Sequence, residues 1–244
     1  MNFKAIVEKL KSYDFSFFVY AVLIVSILGY FSKFNFLFDI CSQFCLQYLI
    51  FALIVLVFYI IKKQKTIKSL LVIFIILLNL FPVLGSIKIN DSTKKQGFTI
   101  EVINLLTKNK KYNAVRKEIN DKSPDILVIQ ELDDKWSEEL QAVKENYPFI
   151  YEISRQDNFG IALYSKIHIT EIRKFFVGTL DVPEISAFCD YEGKVFEIIC
   201  IHTTPPICQK YFKNTQKIID DLANYVVENG HNVIITGDFN TAPY

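Results

Sequence analysis

The stretch Asn232-Val-Ile-Ile-Thr-Gly-Asp-Phe-Asn240 decides how the chain is read. Val233 to Thr236 is a short β-branched run, which suits a buried strand. Gly237 allows the backbone a sharp turn, so Asp238 and Asn240 are presented at the strand's carboxyl end. A carboxylate and an amide spaced two residues apart suit a hard metal ion with water or an oxyanion beside it. Taken alone, the same residues also fit a strand followed by an Asx-type turn. The upstream sequence separates the two readings.

Working back from Asn232, residues 209–229 carry Asn214, Ile218, Leu222 and Val226 at helical spacing, with Gly230 as a stop. A hairpin of Ile185–Tyr191 and Val195–Ile201 precedes it, turning at Glu192-Gly193 and ending in His202. Further strands are expected at Phe149–Ile153, Gly160–Ser165 and Ile167–Val177. The continuous apolar run Ile126–Ile129 predicts a strand covered on both faces, delivering Gln130 and Glu131 at its end. A helix is expected from Asp134 to about Asn146, with Trp136, Leu140 and Val143 on one side. Another is expected from Asn113, as its cap, to Asn120. The first strand of this half, Phe98–Ile103, leads into Asn104. Asn104, Glu131, His202, Asp238 and Asn240 thus all fall at strand carboxyl ends, where layered α/β folds gather their ligand sites. His168, which opens a strand, and His231, in a turn, read as structural.

The first third is different in kind. Phe15–Phe31, Phe44–Ile61 and Ile67–Leu84 are apolar segments whose one charged side chain is Lys68, at the start of the third, and each is near the length of a bilayer-spanning helix. Buried core helices are the alternative, disfavoured because three such segments in succession lack any polar face. Lys4, Lys9 and Lys11 lie before the first segment, and Lys62, Lys63, Lys65 and Lys68 crowd the second connection. The positive-inside rule therefore places the amino terminus and that connection in the cytoplasm. Three spans would put everything after Leu84 outside, Pro82 and Gly85 ending the last of them. The expected organisation is a membrane domain over residues 1–87, a polar linker over 88–97 and an α/β domain over 98–244. With 27 Lys and Arg against 26 Asp and Glu, no polybasic arm suggests nucleic acid. The five cysteines lack zinc-ligand spacing.

The soluble half resembles the endonuclease/exonuclease/phosphatase family, shared by pancreatic-type deoxyribonucleases, abasic-site endonucleases, inositol-phosphate phosphatases and sphingomyelinases. The resemblance is carried, in order, by Asn104-Leu-Leu, Pro124-Asp-Ile-Leu-Val-Ile-Gln-Glu131, Asn158-Phe-Gly-Ile-Ala-Leu-Tyr-Ser165, Ile201-His-Thr-Thr-Pro-Pro206 and Gly237-Asp-Phe-Asn240. With the spans ahead of it, the chain most resembles the membrane-anchored bacterial branch. That implies a four-layer α/β sandwich, two packed sheets flanked by helices, in an inner or plasma membrane protein with its soluble domain on the extracytoplasmic side. It also implies divalent-metal-dependent hydrolysis of a phosphate ester, either a lipid head group or nucleic acid. Glu131 would hold Mg²⁺ or Mn²⁺ with Asn104 in support. Asp238 would activate water, and Asn240 and His202 would donate to the phosphate. Family members continue past this point to a Ser-Asp-His motif, whereas the sequence stops at Tyr244. The resemblance therefore implies a truncated, partial sandwich. The alternative is a non-catalytic remnant that binds only metal or a partner.

Overall fold

The computed structural model describes residues 14–63, 66–87, 97–175 and 177–241. They form an amino-terminal helical unit and a second unit spanning Thr93–Pro205 and Lys210–Asn240. The linker expected at 88–97 lies almost wholly outside the described residues, as do Lys4, Lys9, Lys11 and Lys65.

The helical unit contains α1 (Ser16–Gly29), a 3-10 turn at Ser32–Phe34, α2 (Phe36–Ser42), α3 (Cys45–Ile61) and α4 (Ile67–Ser86). Only α4, with 20 residues, is long and apolar enough by itself to cross a membrane among the described residues. Its length is about 30 Å at the helical rise. α2 and α3 make a second crossing only if their 53° bend belongs to one broken span. α1 has 14 residues, about 21 Å, which is short of the hydrocarbon thickness. The expectation of three full spans is therefore corrected to one or two. The first apolar segment stops early because the chain turns at Tyr30, just after Gly29 packs on the Ser42 backbone. A side chain at 29 would come within 3.2 Å of that backbone.

Pro82 does not end the last helix, which runs through it to Ser86. Proline cannot donate to the carbonyl four residues back, so Leu78 O loses its helical partner. The Tyr30 hydroxyl donates to that oxygen at 2.6 Å. A second polar contact, Asn79 Nδ2 to Ser26 Oγ at 2.9 Å, ties α4 to α1. Phe17, Ile54, Ile60, Leu70, Leu77 and Phe81 all face outward.

The second unit holds two four-stranded sheets, each made from one continuous stretch of chain. The first orders its strands β1-β2-β4-β3: β1 (Ile100–Asn104), β2 (Ile126–Gln130), β3 (Phe149–Ile153) and β4 (Ile161–Ser165). β1 and β2 are parallel, joined by α5 (Tyr112–Lys122), and β4 and β3 add antiparallel. The second sheet runs β5 (His168–Phe175), β6 (Glu184–Tyr191), β7 (Lys194–His202) and β8 (Val233–Asp238). There the parallel pair is β7 and β8, joined by α8 (Gln209–Asn229). The β6–β7 turn uses Glu192 at φ 53° and Gly193 at φ 78°, the left-handed pair a two-residue hairpin prefers.

Alternation along the strands makes four layers. Ile126, Val128, Ile161 and Leu163 meet Ala187, Cys189, Ile198 and Cys200 between the sheets. Leu127, Ile129, Ala162 and Tyr164 face outward beneath Ile119 of α5 and Trp136, Leu140 and Val143. Ile199 and Ile201 lie beneath Ile218 and Leu222 of α8. Each such buried aliphatic side chain contributes about 1.5–3 kcal/mol. The helix expected over 134–146 is two pieces, α6 (Asp134–Glu139) and α7 (Gln141–Lys144), broken at fully buried Leu140. Asn113 is not the cap of α5; Lys111 holds that position, and Asn113 accepts from Arg116 instead. β8 closes its sheet as an edge, half-buried along its whole length.

Candidate functional site

All five residues expected at strand ends lie at one end of the two sheets. On the first sheet, Asn104 ends β1 opposite Gln130, which ends β2. Glu131 follows with φ 58°, a left-handed conformation that costs a residue with a Cβ about 1–2 kcal/mol. The next residue shows what enforces it. Leu132 N donates to Gly160 O at 3.1 Å, and Leu132 O accepts from Arg155 N at 3.0 Å. A Cβ at Gly160 would lie 1.8 Å from Leu132 O, so only glycine permits this clamp. The Glu131 carboxylate then leans on the loop after β1: its Oε2 accepts from Thr107 N at 3.1 Å and Thr107 Oγ1 at 3.3 Å. Asn104 turns into its own loop, where Oδ1 accepts from Leu106 N at 2.9 Å.

On the second sheet, His202 ends β7 directly opposite Asp238, the end of β8. The loops beyond are laced together. Thr203 N donates to Asp238 O at 3.0 Å, and the Thr203 hydroxyl donates to Phe239 O. Asn240 N donates to Asp238 Oδ1 at 2.8 Å, and Asn240 Nδ2 donates to Thr203 O at 2.7 Å. Asn240 takes φ 47°, so the carboxylate and amide read from the sequence sit on a strained, fully tied turn.

His202 is buried, and its Nδ1 has no hydrogen-bond partner among the described residues. Burial pushes its pKa below the usual histidine value, against the upward pull of Asp238 and then Glu131. Carboxylates from both sheets thus oppose the effect of burial on one imidazole. The Phe159 ring lies beside it, centroids 5.5 Å apart.

Lys108, Lys110 and Lys111 stand exposed on the loop that holds Glu131, without an ion pair to any described residue. Arg116, Lys117, Lys122 and Lys135, by contrast, are all paired with carboxylates. Asn109 stiffens the loop, accepting from Lys111 N at 3.0 Å and donating to Leu105 O at 3.2 Å.

The donor chemistry fits a hard divalent ion. Glu131 has one carboxylate oxygen outside the Thr107 contacts, and Asn104 adds an amide oxygen on the neighbouring strand end. No cluster of three or more His, Cys, Asp or Glu suited to a metal occurs among the described residues. That set suits magnesium, which takes one or two carboxylates and keeps much of its water, and it does not suit zinc.

The sequence reading assigned no role to Thr107, Phe159, Gly160 or Thr203. Phe159 and Gly160 stand within the quoted Asn158-Phe-Gly block, and Thr203 follows His202, so adjacency was the available signal. Thr107 carried none, because its contact with Glu131 spans 24 positions.

Residues 102–243, more than half of the chain, match the Endonuclease/Exonuclease/phosphatase family. No curated protein matches. Among solved structures, a humanized D. rerio TDP2 with 14 mutations shares 16% identity at a TM-score of 0.51, over 59% of this chain and 67% of that one. D. rerio TDP2 complexed with single-strand DNA product gives 16% and 0.51, over 59% and 61%. A β-hairpin deletion mutant of beta toxin from Staphylococcus aureus gives 17% and 0.50, over 60% and 68%. At such identities the likeness is one of fold. The chain spans 61% to 68% of the length of these three.

Proposed function

This chain belongs to the Endonuclease/Exonuclease/phosphatase family, and on that premise we propose that it is a membrane-tethered phosphodiester hydrolase working with Mg²⁺ or Mn²⁺. The observation that carries the reading is the pairing of His202 with Asp238 at the end of the second sheet, joined to the Glu131 end of the first by the Gln130–Ile201 hydrogen bond. Glu131 and Asn104 would hold the ion. When bound, it polarises a phosphoryl oxygen and shields charge on the leaving oxygen. Asp238, fixed by Asn240 N, orients the attacking water and accepts its proton. His202 and the Asn240 amide donate to the phosphate oxygens as charge develops.

Nucleic acid is the first choice of substrate. The unpaired lysines beside Glu131 suit a backbone with several phosphates, and Phe159 beside His202 offers a stacking face. A fold neighbour binds single-strand DNA product. A lipid head group is the second choice, favoured by the tether. The outward-facing Phe17, Ile54, Leu70 and Phe81 of the helical unit suit hydrocarbon rather than water. Lysines at the connection before α4 favour an extracytoplasmic catalytic unit in a bacterial inner or plasma membrane.

The Asp-His pair that the family resemblance calls for after Asn240 does not occur in residues 1–244. The test is hydrolysis of single-stranded DNA, sphingomyelin and bis(p-nitrophenyl) phosphate with Mg²⁺, by the chain as given and by the chain extended with a relative's carboxyl-terminal segment. The extended chain should gain activity that Asp238→Ala removes. Metal binding without turnover in the extended chain would favour the non-catalytic alternative. Activity indifferent to Asp238→Ala would overturn the assignment.

A further inference from the structure

Three residues, each one position ahead of a candidate site residue, meet at a single point. Gln130 precedes Glu131, Ile201 precedes His202 and Gly237 precedes Asp238. The Gln130 side chain is buried and crosses from the first sheet to the second, where Nε2 donates to Ile201 O at 2.6 Å. Ile201 stands opposite Gly237 in the β7–β8 ladder. A Cβ at position 237 would fall 1.9 Å from Ile201 O and 2.9 Å from Gln130 Nε2. The bare Gly237 backbone, at φ 136°, is what makes room for the amide to reach that oxygen.

We propose that Gln130 is a positioning residue that sets the spacing between the metal-holding half of the site, Glu131 and Asn104, and the phosphate-facing half, His202, Asp238 and Asn240. The halves sit on different sheets, between which apolar residues such as Ile126, Val128, Ile198 and Cys200 pack. Apolar contact is non-directional and lets sheets slide by fractions of an ångström. A short buried hydrogen bond beside the reacting groups is directional, and leaving its acceptor bare would be costly. The side chain touches neither substrate nor metal. Its part is to hold the separation that in-line chemistry needs, where misplacement by about 1 Å costs on the order of 10²-fold. This inference rests on the function proposed above, and its test separates the two.

The test uses the full chain in detergent micelles, as wild type, Gln130→Met and Gln130→Glu. Methionine keeps the volume and removes the donor; glutamate keeps the shape and donates only while protonated. The first measurement is metal-free hydrogen exchange. Thr203 N and Asn240 N, both bonded to Asp238, should exchange about tenfold faster or more in Gln130→Met. The β3–β4 amides should be unchanged. Gln130→Glu should match the methionine variant at alkaline pH and return to the wild-type pattern under acid, which a loss of packing alone would not produce. The second measurement is Mn²⁺ binding with and without inorganic phosphate. Gln130→Met should keep its Mn²⁺ affinity within about twofold but lose about tenfold of the mutual tightening between metal and phosphate. Unchanged exchange at Thr203 and Asn240, or acceleration spread evenly over both sheets, would overturn the proposal. Wild-type protein that binds no Mn²⁺ would count against the proposed function, while the exchange pattern would still decide the role of Gln130.

Discussion

Replacing Glu184 with glutamine should remove a pH-dependent weakness from the second sheet. Glu184 opens β6 opposite Phe175 and is fully buried. One carboxyl oxygen accepts from Val177 N at 3.3 Å, and the other has no partner among the described residues. Burial pushes the carboxyl from the ordinary 4.5 up to about 8, only partly opposed by Val177 N–H and Lys174. A folded-state value above the unfolded one means that the folded form favours the proton. The contribution to stability is therefore fully present below the unfolded pKa, and it is lost as pH rises through the interval toward the folded value. Each unit of difference is worth about 1.4 kcal/mol. Relative to pH 4, wild-type protein should have lost on the order of 3 kcal/mol at pH 7 through this group alone. Glu184→Gln keeps the shape and cannot ionise. The assay is urea unfolding of both proteins in the same micelles at pH 5, 6, 7 and 8, read from Trp136. It is the sole tryptophan and is fully buried. Other carboxylates cancel in the comparison, so the stability advantage of the variant should grow by about 2–3 kcal/mol between pH 5 and pH 7. An advantage that stays level across that range would refute the reasoning.

Gly237→Ala should destabilise the second unit by about 3 kcal/mol or more, because the new methyl meets Ile201 O at 1.9 Å; a loss below about 1 kcal/mol in urea unfolding would mean the strand ends part easily. Glu131→Gln should remove most Mg²⁺ or Mn²⁺ binding measured by calorimetry while leaving unfolding unchanged, and equal affinity in the variant would place the metal elsewhere. In intact cells, a membrane-impermeant thiol reagent should label a cysteine introduced at Asn90 but not one at Gln64; the opposite pattern would reverse the proposed orientation.

The sequence revealed most where one physical effect dominated. Ile126–Ile129 could only be a strand covered on both faces, and it is buried throughout. α8 was legible because Asn214, Ile218 and Leu222 share a buried face. Its boundaries, Gln209 and Asn229, match the expectation. The errors lie where distant residues override a local rule. Pro82 reads as a stop, and nothing near it in sequence announces that Tyr30 will satisfy Leu78 O. Residues 134–146 contain no glycine or proline, so no local signal marked the break at Leu140. The apolar segments gave composition correctly and helix length less well, since the turn after Gly29 depends on its contact with Ser42. At the candidate site, strand ends placed Glu131, His202 and Asp238 at one end of the two sheets. The Gly160 clamp, the Thr107 contacts and the reach of Gln130 join residues far apart in sequence and were invisible to spacing.

Each sheet comes from its own uninterrupted stretch, 100–165 and then 168–238. During synthesis the first sheet can pair all of its strands before the second has left the ribosome. Contacts within each half are near in sequence and form early, whereas Gln130 to Ile201 closes a separation of 71 residues. The candidate site straddles that seam. A nascent chain halted before β7 would hold Asn104 and Glu131 on a finished sheet, able to meet a metal ion but with nothing opposite to face a phosphate. Both halves of the candidate site stand together only once the second sheet has docked on the first.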